Sequence, residues 1–175
     1  ICASAIGYYG DRGAEVLTDD SASGTGFLAE VCRAWETATA PAANSGIRVV
    51  NLRFGVVLSA AGGALATMLL PFQFGAGGTI GGGEQYMSWI ALDEVPGVTL
   101  HALLRDTVRG ALNVVTPQPV TNREYTKTLG RVLKRPTLLA VPTAAARLAF
   151  GEMADEMLLA STRVEPARLL ATHYR

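Results

Sequence analysis

IRVVNL, residues 47–52, is the stretch that decides the fold class. Its β-branched side chains follow the turn-forming Asn-Ser-Gly of residues 44–46, which predicts a buried β-strand. The chain opens with ICASAIGYYG (residues 1–10), an apolar run ending in small residues that predicts a strand reaching the carboxyl edge of a sheet. FLAEVCRAWETA (residues 27–38) lies between them and has the i, i+4 apolar spacing of a helix. Strand, helix and strand in this order predict a right-handed parallel crossover and an α/β fold.

The predicted helix of residues 27–38 has one apolar face, formed by Phe27, Leu28, Val31, Cys32 and Trp35. Further along the chain, the same patterns predict helices over 64–74, 93–104, 121–133 and most of 142–170, and strands over 88–92, 111–115 and 137–142. Asp93 is the predicted cap of the second of these helices, and Thr121 with Glu124 forms a capping box at the third.

The composition predicts a compact globular protein. Of the 175 residues, 49% are hydrophobic and only 17% are charged. Lys plus Arg equals Asp plus Glu at 15 each, so we expect neither a nucleic-acid nor a membrane-surface partner. Cys2 and Cys32 are too few for a disulfide framework and are predicted to be reduced core thiols of a cytoplasmic protein. Neither histidine has an acidic or cysteine neighbour at ligand spacing, so no metal site is predicted.

The tract GAGGTIGGGEQ (residues 75–85) raises the question of a phosphate loop. A dinucleotide-binding loop follows a strand and opens a helix, so that helix N–H groups point at the phosphates. Here the predicted helix comes first and the predicted strand second, which argues against phosphate binding. Two alternatives stay open. The tract is a connector that needs positive φ angles, or its glycines let the backbone approach a ligand contacted by Gln85, Ser88 and Trp89.

Five stretches carry a resemblance to a known family. They are SAIGYYGD (4–11), GFLAEVCRAWE (26–36), IRVVNLRFGVVLSAAGGAL (47–65), LLPFQFGAGGTIGGGEQYMSWIALDEV (69–95) and GEMADEMLLASTRVEPARLLATHY (151–174). In order and spacing they resemble the atypical extended short-chain dehydrogenase/reductases, an epimerase-like family that ends in a small domain of unknown function.

The resemblance implies the C-terminal half of a Rossmann-like, doubly wound parallel sheet with a small, mostly helical C-terminal substrate lobe. The implied domains are 1–120, a partial Rossmann domain with substrate-side loops, and 121–175, a small helical domain. Family members open with a TGxxGxxG that binds the pyrophosphate of NADP(H), and this sequence contains none. We therefore expect the C-terminal part of a chain of roughly 300 residues, with NADP as cofactor, NAD as the alternative, and the phosphate-binding half absent.

The family's usual catalytic pair is missing. Extended members use a Tyr and a Lys four residues later, and no Tyr in this sequence has a Lys at that spacing. Counting back from Glu36, which resembles a family marker, puts Leu28 at the Tyr position and Cys32 at the Lys position. Ser4 matches the hydroxyl at the end of the family's fifth strand, and Tyr8 is the first candidate for a substitute proton donor. The alternative is that Ser4 caps the end of the strand and that Tyr8 and Tyr9 both pack structurally.

The resemblance also assigns binding residues. The predicted cofactor contacts are Leu28, Arg53, Phe54, Gly55 and Val56, although a structural ion pair is the favoured alternative for Arg53. The predicted substrate contacts are Tyr9, Gln85, Ser88 and Trp89.

These residues lead to two classes of function. The first is an NADP(H)-binding oxidoreductase or epimerase-like protein that acts on a small molecule. The second is a non-catalytic dinucleotide-binding sensor or partner-docking protein that has lost the Tyr/Lys pair. Whether the protein is an enzyme is left open, and so is a homodimer. A sugar-nucleotide epimerase is disfavoured, because such an enzyme also needs the Tyr to exchange a proton with the sugar.

Overall fold

Short strands alternate with helices along the chain. The computed structural model describes residues 1–151 and 153–174. Its strands are β1 Cys2–Ala5, β2 Val16–Leu17, β3 Val50–Phe54, β4 Val56–Leu58, β5 Gly78–Ile80, β6 Tyr86–Met87, β7 Trp89–Ala91, β8 Gly110–Val114, β9 Val120–Thr121, β10 Leu139–Val141 and β11 Arg163–Val164. Its α-helices are α1 Phe27–Thr37, α2 Ala40–Asn44, α3 Gly63–Gln73, α4 Glu94–Leu104, α5 Asn122–Leu133, α6 Thr143–Phe150 and α7 Ala167–Ala171. A 3₁₀ turn, Ile6–Tyr9, follows β1, and a π-helix covers Ala154–Leu159.

Three parallel strands form the central sheet, in the order β1-β3-β8. In this register Ser4 lies opposite Arg53, and Arg53 lies opposite Asn113, so three polar residues form a row across the sheet. The chain returns from β1 to β3 through α1 and reaches β8 through α4, which are the crossovers that a parallel sheet requires. The α/β fold with a parallel sheet is therefore confirmed.

Strand alternation separates an apolar face of the sheet from a polar one. Val50 and Leu52 point to one face and pack with Leu112, Val98 and Ala102 in the main core cluster. Arg53 points to the other face, toward α1 and the 3₁₀ turn, and is also buried. The apolar face stabilises the fold by removing hydrocarbon from water, at about 25 cal/mol per Å² buried. The polar face positions the candidate site.

Helix α1 occurs where it was predicted, but the prediction of its buried face was wrong in part. Phe27 and Trp35 are 70% and 53% exposed, whereas Ala29 and Cys32 are buried. The face that meets the 3₁₀ turn is that of Leu28 and Cys32, since a Cβ on Gly7 would lie 3.2 Å from the Leu28 Cβ and 3.8 Å from the Cys32 Sγ. The largest apolar side chains of this helix therefore do not contribute to the core.

The other helix predictions have mixed outcomes. The capping box is confirmed, because the Thr121 side chain accepts from the Glu124 N–H and the Glu124 side chain accepts from the Thr121 N–H. Asp93 precedes α4 as predicted, but its side chain makes no capping hydrogen bond. Helix was predicted over most of residues 142–170. The prediction fails at β11, where the chain is extended and pairs in parallel with β2. No helix among the described residues is both long and apolar enough to cross a membrane.

The boundary between domains 1–120 and 121–175 stays a prediction. Backbone pairing between β2 and β11, and between β6 and β9, joins residues from the two sides of that boundary.

Candidate functional site

The candidate site lies at the carboxyl end of β1, beside the start of α1. In open parallel sheets this edge is where ligands bind, because helix N-termini and strand-end loops converge there. A cavity of about 320 Å³ occurs at this point, and we call it the polar cavity. Its walls include Gly7 and Gly10 from the turn after β1, Gly26 and Leu28 from the start of α1, and Glu156 from the π-helix.

Glycine is required where the turn meets the loop before α1. Gly10 has a φ of +62°, and a Cβ there would lie 2.8 Å from the Thr25 carbonyl oxygen. A Cβ on Gly24 would lie 2.0 Å from the Tyr9 carbonyl oxygen. The two backbones touch directly, so this wall of the polar cavity consists of main chain rather than side chains.

Glu156 caps α1 from a distant part of the chain. The N–H groups of Phe27 and Leu28 donate to its Oε1 and Oε2 at 3.2 and 3.4 Å. The helix has no capping side chain of its own, since Gly26 stands at the N-cap, and a Cβ there would lie 2.7 Å from Glu156 Oε1. A carboxylate at a helix N-terminus is stabilised by the unpaired N–H groups and the helix dipole. Glu156 was not predicted from the sequence. The only sign of a distant capping group was that α1 starts without a Ser, Thr, Asp or Asn at its N-cap.

Glu36 and Arg53 form a buried ion pair beneath the polar cavity. Arg53 Nε donates to Glu36 Oε1 and Nη2 donates to Oε2, both at 2.7 Å, and the side chains are 5% and 14% exposed. Burial alone would lower the pKa of Arg53, but the hydrogen bonds that Arg53 donates to Glu36 and Tyr9 outweigh it and raise the pKa. The guanidinium is therefore permanently charged. Its contacts agree with the alternative favoured for Arg53, which is a structural ion pair.

Ser4 is the first of the two predicted catalytic residues. Its hydroxyl is buried and donates to Glu36 Oε1 at 2.8 Å. The Ser4 proton is thus held by a carboxylate that Arg53 already neutralises. In this arrangement Ser4 orients Glu36, which agrees with the structural alternative, while its catalytic role stays a prediction.

Tyr8 and Tyr9 occupy different environments although they are adjacent. The guanidinium carbon of Arg53 lies 3.5 Å from the centre of the half-buried Tyr8 ring, which fixes the ring by a cation–π contact. Tyr9 is completely buried, and its hydroxyl lies 2.7 Å from Asn113 Oδ1 and accepts from Arg53 Nη1 at 2.9 Å. Burial raises the pKa of Tyr9, so its hydroxyl stays protonated. Tyr9 has no exposed surface in this structure, and its role as a substrate contact stays a prediction.

Asp19 extends these contacts into the C-terminal segment. Its Oδ1 accepts from the Asn113 N–H at 2.6 Å and its Oδ2 from the Arg168 N–H at 3.0 Å. The Asn113 amide in turn donates to the Glu165 carbonyl oxygen at 3.1 Å. We call the set Glu36, Arg53, Tyr9, Asn113 and Asp19 the buried polar network. A buried polar network whose members are all paired is rigid and fixes the elements that contribute to it.

The predicted cofactor contacts are spread along one edge. Leu28 lines the polar cavity, whereas Val56 pairs with Trp89 between β4 and β7. Phe54 is half-buried against the main core cluster. A Cβ on Gly55 would lie 2.7 Å from the Ser88 carbonyl oxygen, so this glycine permits the close crossing of two strands. Of these residues, Leu28 is the one that the structure places at a cavity wall, and the cofactor roles of the others stay predictions.

Gln85 and Ser88 make hydrogen bonds between distant segments of the chain, and neither residue lines the polar cavity. Gln85 Nε2 donates to the carbonyl oxygens of Ile80 and Leu158, both at 3.1 Å. Ser88 is completely buried; its hydroxyl donates to the Thr162 carbonyl oxygen at 2.8 Å and accepts from the Val164 N–H at 2.9 Å. These hydrogen bonds tie Gln85 Nε2 and the Ser88 hydroxyl to other segments of the chain, and the substrate contacts of both residues stay predictions. Trp89 is half-buried in β7, and its substrate role stays a prediction.

The glycine tract of residues 75–85 follows α3 and enters β5, the order that argued against a phosphate loop. Gly75, Gly81 and Gly83 have positive φ angles of 73°, 58° and 74°, which fits the connector alternative.

Comparison with known proteins places the chain in context. Residues 141–175 match a family model described as a domain of unknown function, DUF1731. An epimerase family protein of Mycobacterium bovis is 48% identical over 169 residues, which are 97% of this chain and 56% of that protein. The human epimerase family protein SDR39U1 is 38% identical over 176 residues, which are 100% of this chain and 60% of that protein. The chain thus spans little more than half the length of these relatives.

Two solved structures are similar over nearly the whole chain. The crystal structure of human SDR39U1 (isoform 2) with NADPH superposes with a TM-score of 0.90 at 36% identity, covering 99% of this chain and 59% of that one. A nucleoside-diphosphate sugar epimerase from Corynebacterium glutamicum gives a TM-score of 0.80 at 41% identity, covering 99% of this chain and 33% of that one.

Proposed function

The chain belongs to the epimerase family of these relatives, the atypical extended short-chain dehydrogenase/reductases, and from that premise we propose that the protein binds NADP(H) and acts on a small molecule by hydride transfer. The observation that carries the proposal is the similarity, at a TM-score of 0.90, to a structure solved with NADPH. NAD is the alternative cofactor.

The residues at the carboxyl end of β1 fit the nicotinamide end of such a cofactor. Gly7 and Gly10 offer main chain without side chains, and Leu28 offers an apolar surface against which a flat ring can pack. The TGxxGxxG that holds the pyrophosphate in family members does not occur in this sequence. When bound, NADP(H) supplies or accepts a hydride at this edge.

The proton must be moved by a residue other than the family's usual Tyr, because Leu28 stands at that position. We assign this step to Tyr8, which lies in the turn after β1 and whose ring is fixed by Arg53. Ser4 and Glu36 hold Arg53, and therefore the Tyr8 ring, in place. Proton transfer by a positioned side chain contributes roughly 10²- to 10⁴-fold to a rate.

A non-catalytic sensor is the second candidate, and one observation favours it. Leu28 and Cys32 replace the Tyr and the Lys, and burial raises the pKa of the Cys32 thiol, so that it stays neutral. Ser4 donates its proton to Glu36 instead of pointing it at a ligand. A protein of this kind binds the dinucleotide and changes its contacts with a partner without turnover.

The test is a fluorescence titration of the full-length protein containing this chain with NADPH and NADH, followed by a screen of carbonyl substrates. We expect NADPH to bind and Tyr8→Phe to lower turnover about 10²-fold or more, with cofactor affinity unchanged. The control is Tyr174→Phe. It removes a hydroxyl that donates to Glu94 at the start of α4, far along the chain from Tyr8. Binding of neither nucleotide would refute both candidates. Cofactor binding without turnover of any carbonyl compound would favour the sensor.

A further inference from the structure

A second cavity, of about 340 Å³, lies between α3, α5 and the π-helix, and we call it the apolar cavity. Its walls include Met68 and Phe72 of α3, Tyr125 of α5, Ile80 at the end of β5, and Met157 and Leu158 of the π-helix. Its volume falls within the roughly 300 to 1,000 Å³ of small-molecule sites.

Small residues keep this cavity open. Ala64, Ala76 and Ala146 contribute to its walls, and Gly77 and Gly78 place bare main chain there. Protein interiors are otherwise filled to the density of organic crystals, and an unfilled apolar volume costs stability. Larger side chains at the alanine positions would fill the space, so the sequence maintains a volume that packing alone does not require.

The hydroxyl of Tyr125 is the one buried polar group at these walls without a partner among the described residues. Burial raises the pKa of Tyr125, so the hydroxyl remains a protonated donor. A buried donor left unpaired is unfavourable, and a ligand oxygen that accepts its hydrogen bond would remove that cost. The ligand chemistry that fits a neutral donor in apolar surroundings is a carbonyl or an ether.

Charge argues against a nucleotide in this cavity. Among the described residues, none that lines it is a Lys, an Arg or a His. A diphosphate requires cationic side chains or clustered N–H groups, because an unpaired charge in an apolar site is costly. The occupant is therefore uncharged.

Two methionines form a flexible part of the wall. Met153 and Met157 line the cavity although they are 57% and 61% exposed, so they stand between its interior and solvent. Methionine side chains adapt to ligands of different shapes because they are unbranched and polarizable. The adjacent Asp155 and Glu156 line the polar cavity instead, so the π-helix contributes to the walls of both cavities.

We propose that the apolar cavity binds an uncharged, mainly hydrocarbon small molecule bearing one oxygen acceptor, such as a ketone, an aldehyde or an ester. This inference goes beyond the proposed function, because the apolar cavity shares no lining residue with the polar cavity at which hydride transfer is placed. Tyr125 holds the ligand oxygen, and the methionines and Phe72 surround its hydrocarbon part.

The test uses a neutral apolar fluorophore, N-phenyl-1-naphthylamine, without any cofactor. We expect its fluorescence to rise on binding, 2-nonanone to displace it, and UDP-glucose to leave it in place. Ala146→Phe fills the cavity from a buried wall position and should weaken fluorophore binding at least tenfold. The matched control Ala145→Phe lies one residue earlier on the exposed side of α6 and should change nothing.

Tyr125→Phe keeps the shape of the side chain and so tests the proposal even if Ala146→Phe does not fold. It should weaken displacement by 2-nonanone several-fold while leaving the affinity for the fluorophore unchanged. Equal displacement by 2-nonanone in both proteins, or displacement by UDP-glucose, would overturn the proposal. A parallel NADPH titration separates the two hypotheses: ketone binding without NADPH binding refutes the proposed function alone, and the reverse refutes this proposal alone.

Discussion

Tyr9 and Tyr125 both lie in a helical segment and both have a buried hydroxyl group, yet the two hydroxyl groups differ in every contact. The Tyr9 hydroxyl is paired on all sides within the buried polar network, with Arg53 and Asn113 as partners. The Tyr125 hydroxyl has no partner among the described residues and belongs to a residue that lines the apolar cavity. A fully paired group fixes structure, whereas an unpaired one persists at a cost that only a ligand relieves. The buried polar network is therefore the rigid support, and the apolar cavity is the region open to a ligand.

The largest effect is expected from breaking the buried ion pair. Arg53→Met leaves the Glu36 carboxylate buried and uncompensated, which should lower the free energy of unfolding by about 3–5 kcal/mol. Urea unfolding followed by circular dichroism measures it. The control is Arg123→Met, which breaks an ion pair with Glu84 whose side chains are largely exposed, and should cost no more than about 1 kcal/mol. Equal losses in the two variants would show that the network is not a rigid support.

Adding carbon atoms should lower stability at Gly55, where two strands cross closely, more than at Ala64, which lines the apolar cavity. Gly55→Ala places a methyl group against the Ser88 carbonyl oxygen and a Val115 methyl group, and should cost about 1–3 kcal/mol because neither neighbour has room to move. Ala64→Leu adds more atoms but directs them to the apolar cavity, so the cost should stay below about 1 kcal/mol. Thermal unfolding of both variants measures the difference. A larger loss in Ala64→Leu would mean that the cavity is not open.

Removing each hydroxyl tests the comparison directly. Tyr9→Phe leaves Asn113 Oδ1 and one Arg53 N–H without a partner, which should cost about 1–3 kcal/mol. Tyr125→Phe removes a group that is already unpaired, so the free energy of unfolding should stay within about 0.5 kcal/mol or rise. Urea unfolding at pH 7 decides between them, and a loss above 1 kcal/mol in Tyr125→Phe would mean that its hydroxyl is paired after all.

The smallest effect concerns pH. Burial raises the pKa of Cys32, so the folded protein holds the thiol proton more tightly than the unfolded chain does. The resulting stabilisation is complete below the unfolded thiol pKa of about 8.5 and is lost as the pH rises through the folded value. We expect the difference in unfolding free energy between the protein and Cys32→Ala to shrink between pH 7 and pH 9.5. A difference that grows over this range would contradict the burial of a neutral thiol.

The predictions that succeeded from sequence depend on short-range patterns. The capping box of α5 and the parallel crossover around IRVVNL were predictable because spacing and β-branching act over a few residues. The hydrogen bonds of Gln85 and Ser88 were not predictable, because their partners, Leu158 and Thr162, lie 73 and 74 residues away. Glu156 was missed for the same reason, since the amides it caps belong to a helix 129 residues earlier. The apolar cavity is a packing property of several helices and leaves no local signal.

The capping of α1 by Glu156 has a consequence for how the chain acquires its structure. Three contacts join residues about 130 to 150 positions apart. The amides at the start of α1 donate to Glu156, the Ser161 N–H donates to Asp11, and the Arg168 N–H donates to Asp19. Closing such long loops is entropically slow, and chains dominated by distant contacts fold more slowly than those dominated by local ones. Helix α1 therefore leaves the ribosome without its cap, and the hydrogen bonds that complete its amino terminus form only after residue 156 has been synthesised.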